Sequence, residues 1–167
     1  MPYLKCTAKL AKVGGLKLQP PISDSEGDWH ADVFRFRHRN HVLFCHDLSR
    51  FACLSGPIRK IDVSNLPNVL NQALDKVLAE EAFSDTARGE ASRRLDGLQL
   101  SKTNNRSVLG SLNDYSFRIH WSADYDGVDD PNLVCSLVAQ VNHMPLIAPL
   151  GGGYAIQAYR RYLVHQL

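Results

Sequence analysis

Residues 29–55 alternate apolar and polar side chains with a period of two, and this stretch constrains the fold more than any other. Phe34 and Phe36 project to one side of an extended chain, whereas Arg35 projects to the other side. Polar turns are expected at 38–40 and 47–50, so the chain returns over 41–46 and again over 51–55. The pattern predicts a three-stranded antiparallel meander over about 29–55.

The clearest helix follows this meander and is predicted over about 65–81. Ser64 or Asn65 is suited to cap it, and Pro67 fits its first turn. Apolar residues then recur at helical spacing: Leu66, Val69, Leu70, Ala73, Leu74, Val77 and Leu78. The helix therefore presents one apolar face to a core.

Other elements follow from weaker signals. A short strand at 3–6 and a helix over 8–13, capped by Thr7 and ended by two glycines, precede the meander. A fourth strand fits 98–101. Further helices are predicted over about 106–122, 133–142 and 154–165, and loops over about 14–28, 82–97, 124–132 and 145–153. Strands followed by helices predict an α+β fold with a three- to four-stranded, mainly antiparallel sheet.

The segment 103–114 is unusual because asparagine, serine, glycine and aspartate are poor helix formers, yet its apolar residues have helical spacing. Val108, Leu112, Tyr115 and Ile119 fit a helix over about 106–122, capped by Thr103 or Asn105. The residues at 115–121 also alternate as a strand would. The longer helical match favours the helix.

Composition sets the broad class. The chain has 167 residues, 44% of them hydrophobic, which suits a single domain over 1–167 with a real core. The net charge of +2 gives no general argument for nucleic acid. Four cysteines without a CxxC pair, and the absence of an apolar run near the roughly 20 residues of a membrane span, predict a soluble cytoplasmic protein without a membrane partner.

Four blocks of sequence resemble a family of uncharacterised, mostly bacterial proteins, the domain-of-unknown-function family 6933. They are LKCTAKL at 4–10, WHAD at 29–32 leading into LFCHD at 43–47, NRSVLGSLND at 105–114, and a weaker echo, VNHMP, at 141–145. The third block is the most specific. The resemblance implies one small α+β domain and a helix after residue 105, and it implies no activity. The link from 146 to 152 is longer than the family pattern leads us to expect.

The segment at 104–114 also offers a binding site. On a helix that begins near Arg106, the side chains of Arg106, Asn113 and Asp114 share a broad face beside Gly110. Free N–H groups at the helix start can hold an anion, with Arg106 as a clamp. The ligand-binding candidates are Trp29, Asn104, Arg106, Ser107, Asn113 and Asp114. A purely structural role, in which these residues cap and pack the helix, is equally coherent.

A row of cations gives a second hypothesis. Arg35, Arg37 and Arg39 are expected on one strand face, about 6.6 Å apart, close to the spacing of phosphates along an extended single strand. These arginines are the nucleic-acid candidates. Charged residues on the outer face of a half-buried strand are the ordinary alternative.

The hairpin is rich in histidine, with His30, His38, His41 and His46. Zinc requires three or four converging ligands, and no HExxH, HxH or Cys-His spacing occurs. We therefore expect no metal site and no cofactor.

His30 and Asp32 share a strand face, as an acid–base pair would. A small hydrolytic enzyme would use this pair with Arg106 and Asp114, so the catalytic candidates are His30, Asp32 and Asp114. No GxSxG nucleophile motif occurs, and the glycines at 151–153 lack the GxxxxGK pattern.

A binding or regulatory module, contacting nucleic acid or an anionic ligand, is the main functional hypothesis. The enzyme is one alternative. A protein–protein interaction module, with an exposed apolar patch on the last helix at Tyr154, Tyr159 and Tyr162, is another. An enzyme is the less favoured of these classes.

Overall fold

One mixed, five-stranded sheet organises the part of the chain that the computed structural model describes, which is residues 1–60, 64–146 and 153–165. The strands lie in the order β4-β3-β2-β1-β5. Their bounds are β1 (Tyr3–Cys6), β2 (Trp29–Phe36), β3 (Arg39–His46), β4 (Ala52–Leu54) and β5 (Gln99–Lys102). The second, third and fourth strands are antiparallel neighbours, which confirms the meander.

The parallel half of the sheet corrects the predicted architecture. β1 pairs in parallel with both β2 and β5, so the sheet is larger and more mixed than three to four mainly antiparallel strands. The α+β class itself is confirmed. The error has a simple cause: alternation of side chains identifies a strand but carries no information about the direction of its neighbour.

The described residues form six α-helices: α1 (Ala8–Gly14), α2 (Leu66–Glu80), α3 (Asp85–Arg93), α4 (Arg106–Asp126), α5 (Val138–Asn142) and α6 (Ala155–Val164). A 3-10 turn, Val134–Leu137, leads into α5, so the helix predicted over 133–142 is composite. Thr7 caps α1 by accepting a hydrogen bond from the Leu10 amide at 3.1 Å, and Gly15 ends it with φ of 63°. The capping signals of α1 were therefore read correctly, whereas Asn65 at the start of α2 makes no side-chain capping hydrogen bond to the described residues.

Two loop predictions are wrong. Helix α3 occupies most of the predicted loop 82–97. Ser84 caps this helix and ion pairs stabilise it, although Ala91 is its one buried residue. Such a helix has no apolar periodicity to detect. The predicted loop 124–132 begins too early, since α4 continues to Asp126 and ends at Gly127 with φ of 68°. Most of the predicted loop 145–153 lies outside the described residues.

Helix α4 packs on the second and third strands and settles the ambiguity at 115–121 as helical. Its buried side chains are Val108, Leu112, Tyr115, Ile119, Ser122 and Ala123. Asn142 completes the free edge of β4, because its side chain accepts a hydrogen bond from the amide of Ala52 and donates one to the carbonyl of the same residue, each at 2.8 Å. Among the described helices, none combines the length and apolar character that crossing a bilayer demands.

Candidate functional site

Three polar residues lie side by side in the parallel half of the sheet. Lys5 is opposite His30 on β2 and opposite Ser101 on β5. Residues paired across neighbouring strands project to the same face. None of the three has exposed surface. Buried polar groups are costly without partners. Lys5 and His30 have such partners, and these define the site, whereas Ser101 Oγ has none among the described residues.

Lys5 is held by two carboxylates. Its ammonium lies 2.9 Å from Asp28 Oδ2 and also contacts Asp24. Burial alone would lower the pKa of Lys5, but its hydrogen bonds and attraction to Asp24 and Asp28 raise that pKa above its ordinary value. The buried Asp28 also accepts hydrogen bonds from Tyr3 N at 2.8 Å and Ser25 Oγ at 2.6 Å. Burial would raise the pKa of Asp28, yet Ser25 and Lys5 lower it overall.

His30 is held at both ring nitrogens. Its Nδ1 lies 2.9 Å from Thr103 Oγ1, just after β5, and its Nε2 lies 3.2 Å from Asp47 Oδ1. Burial opposes the charged form of Asp47, but the hydrogen bond from His30 and nearby positive charge keep the pKa of Asp47 below its ordinary value. The imidazole therefore links the end of β5 to the turn after β3.

Asn105 ties the start of α4 to the same carboxylates. Its side-chain oxygen caps the helix by accepting from the amides of Ser107 at 3.1 Å and Val108 at 3.2 Å. Its amide nitrogen donates to Asp24 Oδ2 at 3.0 Å and to Asp47 Oδ1 at 3.1 Å. The positive end of the helix dipole thus faces two carboxylates from this chain.

Arg50 closes the other side of the group. Its Nη2 donates to Ser107 Oγ at 3.1 Å. Its Nη1 lies 3.8 Å from Asp47 Oδ1 and has no hydrogen-bond partner within the described part of the chain. Its own carbonyl accepts from Tyr115 OH at 3.0 Å, and φ of 59° places its backbone in the left-handed region. We call the eight side chains that meet here the polar cluster: Lys5, Asp24, Asp28, His30, Asp47, Arg50, Thr103 and Asn105.

The polar cluster contains a set of metal-ligand types. One ligand atom each from Asp24, His30 and Asp47 lie within 4.8 Å of one another. The set opens to solvent, since the side chain of Asp24 is 42% exposed and that of Asp47 is 16% exposed. Three carboxylates in the cluster face two side-chain cations, Lys5 and Arg50.

The structure brings together only some of the predicted site residues. His30 and Ser107 reach the polar cluster, and Arg106 begins α4 beside Asn105 but is exposed. Asn104 is exposed as well. Trp29 projects to the opposite face from His30 and packs against His46 at the end of β3 and Tyr159 of α6, and all three side chains are buried.

The predicted catalytic group is not assembled. Asp32 accepts a hydrogen bond from Thr7 Oγ1 at 2.6 Å, whereas the carboxylate partner of His30 is Asp47. Asp114 is exposed and pairs with Arg118 at 2.8 Å. It lies about 12 Å along the helix axis from the start of α4, and the exposed Asn113 precedes it.

The prediction that Arg35, Arg37 and Arg39 share one strand face is wrong. Arg37 and His38 have φ of 45° and 64°, so the two-residue turn of the hairpin falls there rather than at 38–40. Arg39 is paired with Phe36, and Arg35 is the neighbour of Phe36, so Arg35 and Arg39 project to opposite faces. Arg37 also donates to Asp129 at 2.8 Å and to Asp124 at 3.1 Å. The three guanidinium groups do not form one row.

Two of the hairpin histidines have hydrogen-bond partners of their own: His41 Nδ1 lies 2.9 Å from the Ser55 carbonyl, and His46 Nδ1 lies 2.9 Å from Ser49 Oγ. Burial lowers the pKa of His46 to about 3. The three tyrosines of the predicted patch differ in exposure: Tyr159 is buried, Tyr162 is partly buried, and Tyr154, just before α6, is 40% exposed.

Of the eight residues in the polar cluster, only His30 was predicted as a site residue from the sequence. The seven that were missed are Lys5, Asp24, Asp28, Asp47, Arg50, Thr103 and Asn105. A lysine between Leu4 and Cys6 in a short apolar strand is the signal that was available for the first of them. Asp24 and Asp28 lie in a loop with serine and glycine, where aspartate is ordinary. Only the fold shows that this loop returns to the lysine.

Fold and site together define a mixed α+β protein with an ionic network at the junction of two parallel strands and a helix N-terminus. The family model for a domain of unknown function, DUF6933, matches residues 3–158, and the chain belongs to that family, as its sequence blocks predicted. A search of curated proteins finds no match. The three strongest of those blocks supply Lys5, His30, Asp47 and Asn105, which all meet in the polar cluster.

Proposed function

We propose that the chain is a binding module whose polar cluster holds a divalent metal ion, with zinc as the best fit. Asp24, His30 and Asp47 would supply two carboxylate oxygens and one imidazole nitrogen. The observation that carries the proposal is their convergence within 4.8 Å at a partly open position. Imidazole with carboxylate suits zinc, and three protein ligands leave a fourth position for water.

The spacing of these atoms supports zinc. Bonds of about 2.0–2.1 Å in a tetrahedron place ligand atoms about 3.4 Å apart. His30 Nε2 and Asp47 Oδ1 are already 3.2 Å apart. The Asp24 oxygen lies within 4.8 Å of both, so it needs to approach by at most about 1.4 Å. In doing so it would exchange contacts with Lys5 and Asn105 for the metal ion.

Thr103 supports the same assignment. Metal-binding histidines usually donate their second ring N–H to an oxygen, which fixes the tautomer and the ring orientation. Thr103 Oγ1, 2.9 Å from His30 Nδ1, is placed to accept that proton. In the metal-free chain Nε2–H donates to Asp47, so a bound metal ion would take the place of that proton and leave the remaining ring proton on Nδ1, facing Thr103.

Lys5 and Arg50 compete with a metal ion for these carboxylates. Lys5 keeps Asp28 as a partner when Asp24 turns to the metal, and Arg50 keeps Ser107. Three carboxylates against two cations leave one negative charge to balance a bound ion. The competition predicts moderate rather than very tight affinity.

An anionic ligand is less well supported at this position. Asn105 already caps the amides of Ser107 and Val108, and Asp24 and Asp47 lie at the helix start where an anion would bind. A second anion there would face both carboxylates at short range.

Titration of the metal-free protein with Zn²⁺ by calorimetry tests the proposal. We expect one site per chain, and we expect Asp24→Asn to weaken it by at least about tenfold, because even residues behind the ligands cost 10–100-fold when removed. Asp24→Asn should leave the fold intact because that side chain is partly exposed. Asp85→Asn is the matched control, since the Asp85 side chain is fully exposed on α3. Equal zinc affinity in Asp24→Asn and the unchanged protein, or no binding to either, would overturn the proposal.

A further inference from the structure

A lysine and a cysteine from different elements are in contact, away from the polar cluster. Lys76 belongs to α2, and Cys135 belongs to the 3-10 turn that leads into α5. The Lys76 ammonium donates a hydrogen bond to Cys135 Sγ at 2.9 Å. We call these two residues the lysine–cysteine pair. A cation in contact with sulfur stabilises the thiolate, which is the form of cysteine that reacts with oxidants and electrophiles.

The other three cysteines lack this arrangement. Cys6, Cys45 and Cys53 have no exposed surface, whereas Cys135 is 7% exposed. Burial raises the pKa of Cys6 and of Cys45 to about 12, and it raises the pKa of Cys53 well above its ordinary value. Among the described residues, Cys135 is the one cysteine whose sulfur accepts a hydrogen bond from a lysine or arginine. Three thiols of the chain are therefore expected to be inert, and they serve as internal references for the fourth.

Solvent reaches the pair from the side of Lys76. The Lys76 side chain is 49% exposed, and it lines a cavity of about 690 Å³ between the end of β4 and α2. A water molecule occupies about 30 Å³, so hydrogen peroxide, which is little larger, fits this space easily. Asn68 and Gln72 line the same cavity with amide groups, which suit a small polar molecule. The cavity thus brings a small oxidant to the ammonium that contacts the sulfur.

The charges around the pair keep Lys76 in its ammonium form. Glu80 lies 3.6 Å from Lys76 Nζ, one turn further along α2. The hydrogen bond to Cys135 and the attraction of Glu80 raise the pKa of Lys76 above its ordinary value, although burial lowers it. The Asn132 carbonyl, 3.5 Å from Cys135 Sγ, accepts the thiol proton and so opposes ionisation. Lys76 therefore supplies the positive charge that favours the thiolate.

We propose that the lysine–cysteine pair is an oxidation site, at which hydrogen peroxide converts Cys135 to a sulfenic acid. Three observations support the proposal: the contact between cation and sulfur, the cavity beside it, and the burial of the other thiols. Reactive cysteines in redox sensors are accessible to solvent and lie next to cations in the same way. The proposal does not use the polar cluster and stands independently of metal binding.

The reaction balances with hydrogen peroxide as the oxidant. The Cys135 thiolate attacks one peroxide oxygen, so an S–O bond forms and the O–O bond breaks. The sulfur loses two electrons, and the peroxide is reduced to hydroxide and to the hydroxyl group that the sulfur keeps. Lys76 donates a proton to the leaving hydroxide, which departs as water. The lysine then regains its proton from solvent, and the product is the sulfenic acid of Cys135.

Mass spectrometry of the whole chain, treated with hydrogen peroxide and dimedone, tests the proposal, because dimedone traps sulfenic acids. We expect an adduct on the peptide that contains Cys135 and on none of the peptides that contain the other three cysteines. Cys135→Ser should abolish the adduct. An adduct on Cys6, Cys45 or Cys53 instead of Cys135, or no adduct on any cysteine, would overturn the proposal.

Substitution of the lysine tests the role of the cation. Lys76→Met should slow the labelling of Cys135 at least about tenfold, since one unit in the pKa of a thiol changes its thiolate fraction about tenfold. Lys76→Arg keeps the charge and should retain most of the rate. Lys76 is half exposed, so neither change should unfold the chain. Lys9→Met, on the exposed side of α1, is the matched control and should leave the rate unchanged.

Two results of this series would contradict activation by charge. One is an equal labelling rate in Lys76→Met and the unchanged protein. The other is equally slow labelling of Lys76→Met and Lys76→Arg, because the loss would then follow from the shape of the side chain rather than from its charge.

Discussion

The first turn of α4 contacts other parts of the chain, whereas the outward face of the same helix is exposed to solvent. At the first turn, Asn105 and Ser107 bond to side chains from distant parts of the chain: Asp47 and Arg50, which are mostly buried, and Asp24, which is partly exposed. Further along, Phe117, Trp121 and Tyr125 place aromatic rings in solvent. One helix thus anchors the polar cluster and also presents an apolar surface. The contrast indicates that its start is fixed by partners within the chain, whereas its outer face is available for partners outside it.

Lys5→Met should lower the free energy of unfolding more than the other substitutions, because it disrupts the polar cluster at the start of α4. Lys5→Met leaves the buried carboxylate of Asp28 without its cation, and breaking a buried ion pair on one side costs about 3–5 kcal/mol. Urea unfolding should show this loss in the free energy of unfolding. Lys9→Met, on the exposed side of α1, is the control and should change it by less than about 0.5 kcal/mol. Similar small losses in both variants would show that the Lys5–Asp28 pair does not hold the cluster.

Local signals predicted most of the elements correctly. The meander, α2 and the caps of α1 depend on periodicity and on residues such as Pro67 and Gly15, which act over a few positions. The hairpin turn was misplaced by about a residue because Arg37 and His38 adopt left-handed backbone conformations that glycine or asparagine would have signalled. That shift was enough to separate Arg35 from Arg39, since a one-residue slip reverses the face.

The candidate site was only partly predictable. His30, Arg106 and Ser107 were chosen near the right junction, because the strand at 29–32 and the start of α4 do meet. Asp24 and Asp47 come from turns, and the direction of a turn carboxylate depends on the tertiary fold. The parallel pairing of the first strand, which brings Lys5 beside His30, has no local signal either.

Two buried histidines, His30 and His41, differ in how many hydrogen-bond partners their ring nitrogens have. His30 has partners at both ring nitrogens, whereas His41 bonds Ser55 through Nδ1, and its buried Nε2 has no partner among the residues that the structure describes. Burial lowers the pKa of His41, although the Ser55 carbonyl opposes that shift. The unfolded chain, with a histidine pKa near 6.5, therefore binds the proton at higher pH than the folded chain. Stability should fall as pH decreases below about 6.5, by at most ~1.4 kcal/mol per pH unit from this group.

His41→Asn tests this contribution, because asparagine retains a donor for the Ser55 carbonyl but does not titrate. The free energy of unfolding, measured in urea at several pH values between about 7 and 5, should depend less steeply on pH in the variant. Other groups contribute the same background to both proteins. Parallel pH profiles would show that His41 protonates without cost and that its unpaired nitrogen is not a liability.

Substitution of Gly110 tests whether the outward face of α4 is free of other segments, and it should change stability least. Gly110 lies inside α4, and an added Cβ would meet no atom within 4 Å, so Gly110→Ala should raise the free energy of unfolding by about 0.5–1 kcal/mol through helix propensity. Gly127→Ala is the matched control. Its added Cβ also meets nothing within 4 Å, but its φ of 68° disfavours alanine, so stability should fall by about 1 kcal/mol. Urea unfolding of dilute protein measures both, and a loss of stability in Gly110→Ala would mean that another segment packs over the start of this face.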